Sequence, residues 1–162
     1  MPENLKIINM DRIVILLTVM LLQMVAVNAQ NKSEDSVKAT VNLLFEGMKS
    51  GDAAKVKAAF ADSAILQTIV SPNKEGKTVI RNVEVSGFAE FVGKQKPGAA
   101  DEQISFGTIL IDGPLASVWT PYKFYYNGKF SHCGVNSFQL VRLNGQWKIQ
   151  YLIDTRRKDS CE

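Results

Sequence analysis

One histidine, two cysteines and five prolines are all that 162 residues contain of these types, and each scarcity closes off some chemistry. A lone imidazole and two thiols far apart in sequence match no metal-ligand spacing. The chain also lacks a glycine-rich phosphate loop and a nucleophile elbow, so it offers no sign of nucleotide chemistry or serine hydrolysis and no cofactor is expected. Charge of one sign is never concentrated: 19 basic residues against 16 acidic leave a formal +3, and only Arg156-Arg157-Lys158 forms a basic run. An interspersed surface of this kind is ordinary solvation and not a stripe for nucleic acid.

Long apolar runs are equally rare, and the one present has a specific setting. Ile13 to Val27 follows Lys6 and Arg12 and precedes Val27-Asn28-Ala29, the three-part pattern of a secretory signal. At about 15 residues the run is short against the roughly 20 that span a bilayer. The expectation is that residues 1–29 are removed and that 30–162 form one domain, periplasmic or secreted. No cysteine follows the cleavage point, which argues against a lipid anchor. An oxidising compartment leaves two alternatives for Cys133 and Cys161, a disulfide made by folding the tail back or two thiols.

What is present is strand-forming sequence punctuated by turns. Asn127-Gly128 and Asn144-Gly145 each separate runs rich in aromatic and β-branched residues, the strongest local hairpin signal. Leu115 to Thr155 therefore reads as a three-stranded meander. With two-residue turns, paired positions sum to 255 across the first turn and 289 across the second. That register aligns Trp119, Asn136 and Ile153 on one face, with Phe138, Leu140, Trp147, Ile149, Tyr151 and His132. A mostly apolar face with two polar groups toward one end reads as the floor of a pocket. Pro121 and Gly134 are the positions where a bulge would reverse these faces.

Upstream, Ser33 to Ser50 carries Val37, Val41, Leu44, Phe45 and Met48 at helical spacing, with Ser33 as cap and Gly51 as stop. Asp52 then caps a shorter helix to Phe60. Ala64 to Ser71, a turn at Pro72 and TVIRNVEVS read as a hairpin. Ser86 is the expected cap of a third helix, ended by Pro97-Gly98. EQISFGTILID reads as one strand leading into the meander. Helices set to one side of an antiparallel sheet give an α+β domain, since each layer must bury a face against another.

The helical corner FEGMKSGDAAKVKAAFADSAILQ and the run GVNSFQLVRLNGQWKIQYLIDTRR resemble the nuclear transport factor 2-like superfamily, also called SnoaL-like or ketosteroid-isomerase-like. Within it they are similar to small secreted proteins labelled "putative lumazine-binding". The resemblance covers nearly all of 30–162. It implies a cone-shaped domain in which a curved antiparallel or mixed sheet and three helices of the N-terminal half enclose a cavity, and a homodimer through the outer sheet face. It implies little about a reaction, because the superfamily includes isomerases, dehydratases, cyclases, binders and dimerisation modules. The isomerases' carboxylate base and two donors correspond to Thr68, Leu44 or Phe45, and Gln139, none of which carries the required group.

Three functions stay open. The first is a noncatalytic binder of a small apolar or aromatic molecule, contacted by Asn136, Trp119, Tyr122, Tyr151 and Gln67. The second is a cofactor-independent lyase or isomerase with His132 as general base and Asp154 as its partner. In the simple register, however, Tyr122 and Asp154 fall on the face opposite His132. The third is a dimerisation module, whose outer face would carry Val118, Phe124, Val135, Val141, Leu143 and Leu152.

Overall fold

The structure is a computed structural model that describes residues 15–16, 32–70 and 77–161. The chain divides into two units, Met1–Asp35 and Ser36–Glu162. In the first, Ile15, Leu16 and 32–35 are described and are helical. The expected signal cleavage point and the turn at Pro72 lie outside the described residues.

The second unit carries the sheet. Helix α1 spans 32–50 and buries Val37, Val41, Leu44, Phe45 and Met48, the residues its spacing singled out. Gly51 ends it with φ of +68°, and a Cβ there would lie 2.7 Å from the Gln95 carbonyl oxygen, so both conformation and space require glycine. The Asp52 carboxylate accepts from the Ala54 and Lys55 amides at 2.9 and 3.0 Å and starts α2, Ala53–Ala59. Phe60 passes directly into strand β1, Phe60–Val70, and β2 is Val79–Val83. Helix α3 is Val85–Gly93, preceded by Glu84 with no side-chain cap. It starts one residue before the expected cap Ser86 and stops short of Pro97.

The stretch read as a single strand after α3 is two strands, β3 (Ala100–Ile104) and β4 (Ile109–Asp112). Both pair with β5, Leu115–Tyr126, and the break between them falls opposite Trp119 to Pro121. Trp119 exchanges backbone bonds with Thr108 and Gly107 on that side, and the Pro121 carbonyl accepts from the Ser105 amide. The missing N–H of Pro121 thus faces the one place where the neighbouring edge is interrupted. Strands β6 (Lys129–Leu143) and β7 (Gln146–Thr155) complete a seven-stranded sheet of order β2-β1-β7-β6-β5-β3, with β4 on β5. Strand β7 lies inside it, parallel to β1 and antiparallel to β6. With its helices this mixed sheet is the expected α+β architecture.

Both Asn-Gly turns have positive φ at both residues, as a two-residue hairpin turn of this kind demands. The registers begin as expected and then slip. Tyr125 pairs with Phe130, but Phe124 pairs with His132, leaving Ser131 as an extra residue. Leu140 pairs with Ile149, but Gln139 pairs with Tyr151, leaving Gln150 extra. These are β-bulges, and neither is at Pro121 or Gly134. Asn136 therefore pairs with Thr120 and Asp154, while Trp119 and Ile153 pair with Ser137. Because a one-residue slip exchanges the faces, Tyr122 and Asp154 join Asn136 and His132 on the helix side, and Trp119 and Tyr151 turn to the outside. Val118, Phe124 and Leu152, expected outside, lie inside with them.

Candidate functional site

Strands β5, β6 and β7 present two kinds of surface to the helices. Toward the second hairpin, Ala116, Val118, Phe138, Leu140, Trp147 and Ile149 pack against α1 and α2 in one apolar core. Further along the same strands the helices no longer meet the sheet, and a cavity of about 430 Å³ opens. Its apolar walls come from Leu44, Phe45 and Met48 of α1, Phe88 and Phe91 of α3, and Leu66, Phe124, Tyr126 and Leu152 of the sheet. Its polar lining comes from Thr68, Glu102, Ser131, His132, Asn136, Asp154 and Arg156, with Gln67 at its border.

The polar groups form separate hydrogen-bonded sets, Tyr122 with Asp154 and Arg156, Asn136 with Glu102, and Ser131 with His132. Tyr122 Oη lies 3.0 Å from Asp154 Oδ2 and 2.8 Å from the Thr155 carbonyl, both of which can accept its proton. Arg156 Nε reaches the same carboxylate oxygen at 2.9 Å. Asn136, 4% exposed, donates Nδ2 to Glu102 Oε1 at 2.8 Å. Gly134 makes this possible: a Cβ there would collide with the Thr155 carbonyl and press on the Tyr122 ring. The glycine suspected of marking a bulge is a site of close approach instead.

Burial pushes the Glu102 carboxyl up to about 7; the Asn136 amide opposes the shift and the Asp154 charge adds to it. Burial also raises the Tyr122 phenol well above its ordinary value, reinforced by Asp154 and Glu102. His132 moves the other way: burial, then the Arg156 charge, lower its imidazole, so the ring is neutral at pH 7. That ring packs against Tyr122 and Phe124 with centroids 5.7 and 5.1 Å apart, and its Nδ1 lies 3.0 Å from Ser131 Oγ. Thr68 is 4% exposed and lines the cavity, yet its hydroxyl has no partner among the described residues. Among the described residues no three His, Cys, Asp or Glu side chains are grouped to hold a metal ion.

Of the residues singled out in the sequence, His132, Asn136, Asp154 and Tyr122 come together here. Gln67 sits at the border, with its amide held by Asn82 at 2.7 Å and by the Tyr151 hydroxyl at 2.7 Å. Trp119 and Tyr151 do not join them. Trp119 is 51% exposed on the outer face, beside a shallow groove with Leu110, Ser117 and Ser137. Glu102 was missed, although a signal existed: it alternates with Ala100 and Ile104, placing a carboxyl on the apolar side of its strand. Arg156, the first residue of the basic run, reaches the cavity.

The tail also differs from the simple register. Cys133 pairs with Arg157, not Arg156, through two backbone bonds of 2.8 and 2.9 Å. The chain then folds back and Cys133 forms a disulfide with Cys161, their Cα atoms 5.8 Å apart. Of the two alternatives for these thiols, the structure has the bridge.

Residues 32–151 match the model of a family described as "Putative lumazine-binding". Solved structures with similar folds include nuclear transport factor 2-like proteins of unknown function from three bacteria. The Shewanella baltica protein has a TM-score of 0.61 at 15% identity, over 79% of this chain and 96% of that one. For Silicibacter pomeroyi the values are 0.61, 14%, 79% and 98%, and for Methylobacillus flagellatus 0.62, 18%, 78% and 93%. At such identities the likeness concerns the fold alone. No curated protein matches the chain.

Proposed function

The chain belongs to the family described as "Putative lumazine-binding", and on that premise we propose that it is an extracytoplasmic, noncatalytic receptor for one small, flat, partly apolar molecule. The cavity carries this reading. It is of drug-like size, walled mainly by aromatic and aliphatic side chains, and holds a few convergent polar groups at one side, the usual composition of a small-molecule site. Asn136, His132 and Asp154 are the contacts proposed for the ligand's polar edge, with Tyr122 holding Asp154 from behind and Gln67 at the border. The Cys133–Cys161 disulfide supports an oxidising compartment, in keeping with the signal read in residues 1–29.

The noncatalytic part rests on how the polar groups are already engaged. Asp154 is held by Tyr122 and Arg156, so it is not poised as a simple acceptor for a substrate proton. One observation favours the alternative, a lyase or isomerase: Glu102, with a carboxyl titrating near neutrality, shares the cavity with a neutral His132. Native mass spectrometry and thermal shift across a panel of flat heteroaromatic compounds, lumazine included, test the receptor. Binding that leaves the bound compound chemically unchanged supports it. Turnover that disappears in His132→Gln establishes the enzyme instead, and an empty, unresponsive protein removes both.

Self-association through the outer sheet face is proposed with a corrected set of residues. Ile65, Leu115 and Trp119 are exposed there in place of Val118, Phe124 and Leu152. Sedimentation of the wild type and of Trp119→Lys tests it, a monomeric wild type being the contrary result.

A further inference from the structure

We propose that the cavity is built for an organic cation: a ligand with a flat aromatic body and a protonated nitrogen group that docks on Glu102. This rests on the receptor reading above and names the chemistry of its ligand.

The first argument is a charge count inside the cavity. Glu102 and Asp154 supply two carboxylates and Arg156 one guanidinium, while His132 is neutral at pH 7. Arg156 contacts Asp154, which also receives the Tyr122 hydroxyl. Glu102 is served by the Asn136 amide, a neutral donor, on one of its two oxygens. With Glu102 ionised, the charged groups of the lining sum to one net negative charge; Arg156 acts on Glu102 through space, and among the described residues no cation contacts it directly. A buried carboxylate so placed either keeps its proton or acquires a positive partner.

The second argument is independent of charge. The Thr68 hydroxyl is buried, faces the cavity and has no partner among the described residues. A buried polar group of this kind signals a missing hydrogen-bonding neighbour. The third concerns the walls. Phe45, Phe88, Phe91, Phe124 and Tyr126 line the space, and the face of an aromatic ring attracts a desolvated cation. An anionic ligand would have Arg156 as the one cationic group in the lining, against two carboxylates.

Binding of such a ligand is linked to a proton. The titratable or charged groups facing Glu102 are Asp154 and Arg156 from β7 and its continuation, His132 from β6 and Tyr122 from β5; α1 and α3 present apolar residues. The neighbouring Asp101 is paired with Lys49 at 3.0 Å. The folded protein holds the Glu102 proton up to about pH 7, so a cation must expel it below that pH and need not above.

Three aryl probes of nearly one shape decide the matter: benzamidine, benzamide and benzoate, titrated calorimetrically into the whole protein at pH 8 and at pH 6. Benzamidine is expected to bind about tenfold more tightly than benzamide at pH 8, with benzoate weaker still, and to lose about tenfold on going to pH 6. Glu102→Gln is expected to cost about tenfold for benzamidine and to abolish the pH dependence, with its circular dichroism spectrum unchanged. Thr68→Val, a change of nearly constant shape, is expected to cost about threefold. Benzamide or benzoate binding as tightly as benzamidine, or benzamidine binding that ignores Glu102→Gln, overturns the proposal. If all three probes fail while lumazine binds, the cation assignment falls and the receptor stands; if lumazine fails as well, both fall.

Discussion

Strands β5, β6 and β7 are solid at one end and hollow at the other, although their residues alternate in the same way throughout. At the solid end Phe138, Leu140 and Ile149 are fully buried under α1 and α2. At the hollow end the inward positions are Tyr122, His132, Asn136 and Asp154, and most of what they meet is each other. The difference is not one of burial, since Asn136 and Asp154 are as inaccessible as many core residues. It is one of what fills the space beyond the side chain. An apolar group is stabilised wherever water is excluded, whereas a polar group needs a partner, and at the hollow end these residues find it largely in one another. The bulge at Gln150 sits on the boundary in β7: Ile149 before it belongs to the solid end, and Asp154 beyond it faces the hollow one only because that residue is inserted.

The comparison can be broken most sharply at its solid end. Phe138→Ala should cost about 3–5 kcal/mol in urea unfolding, because a fully buried ring is removed from a place that cannot collapse around the loss. Phe91→Ala, a cavity-wall ring that is 53% exposed, should cost far less. Equal losses at the two sites would erase the distinction.

A second substitution sharpens the contrast with a change of the opposite sign. Glu102 has a folded-state value of about 7 against an ordinary 4.5. Between those values the folded chain holds a proton that the unfolded chain releases, so this carboxyl lowers stability as pH rises from 4.5 to 7, and the loss persists above 7. Glu102→Gln should therefore stabilise the protein by on the order of 2–3 kcal/mol at pH 8 and leave it unchanged at pH 4. Urea unfolding at the two pH values checks this, and a variant that is less stable at pH 8 would contradict the account. A substitution that strengthens the fold while weakening ligand capture is the mark of a group kept for function.

Gly134→Ala comes third. The added methyl drives the Thr155 carbonyl away from Tyr122, and should cost about 1–3 kcal/mol while loosening the Tyr122–Asp154 contact. A tyrosine fluorescence or chemical-shift change confined to Tyr122 would locate the effect, and full wild-type stability would refute it.

The helices and turns were legible because their signals are local. Apolar spacing fixed the inner side of α1, Asp52 declared its cap, and both Asn-Gly pairs formed the turns they suggested. The site was less legible because it depends on two inserted residues, Ser131 and Gln150, which carry no conformational signature. Neither is a glycine or a proline, and each is set by how the strands must bend around the core. The residues that do carry a signature pointed elsewhere: Pro121 faces a gap in the edge, and Gly134 clears space for a carbonyl. Trp119 and Ile153 kept each other's company across β6, but through Ser137 and on the outside. Glu102 was hidden for a different reason, since a charged residue in an edge strand ordinarily faces water.

The position of β7 inside the sheet governs how the chain must come together during synthesis. Among the described residues, β1 and β2 share no ladder with β3 to β6 except through β7, so the two halves of the sheet stay unjoined until β7 is in place. Assembly must wait for β7 to slot between them, and a chain cut short after Asn144 would leave both halves with an open edge inviting pairing with strangers.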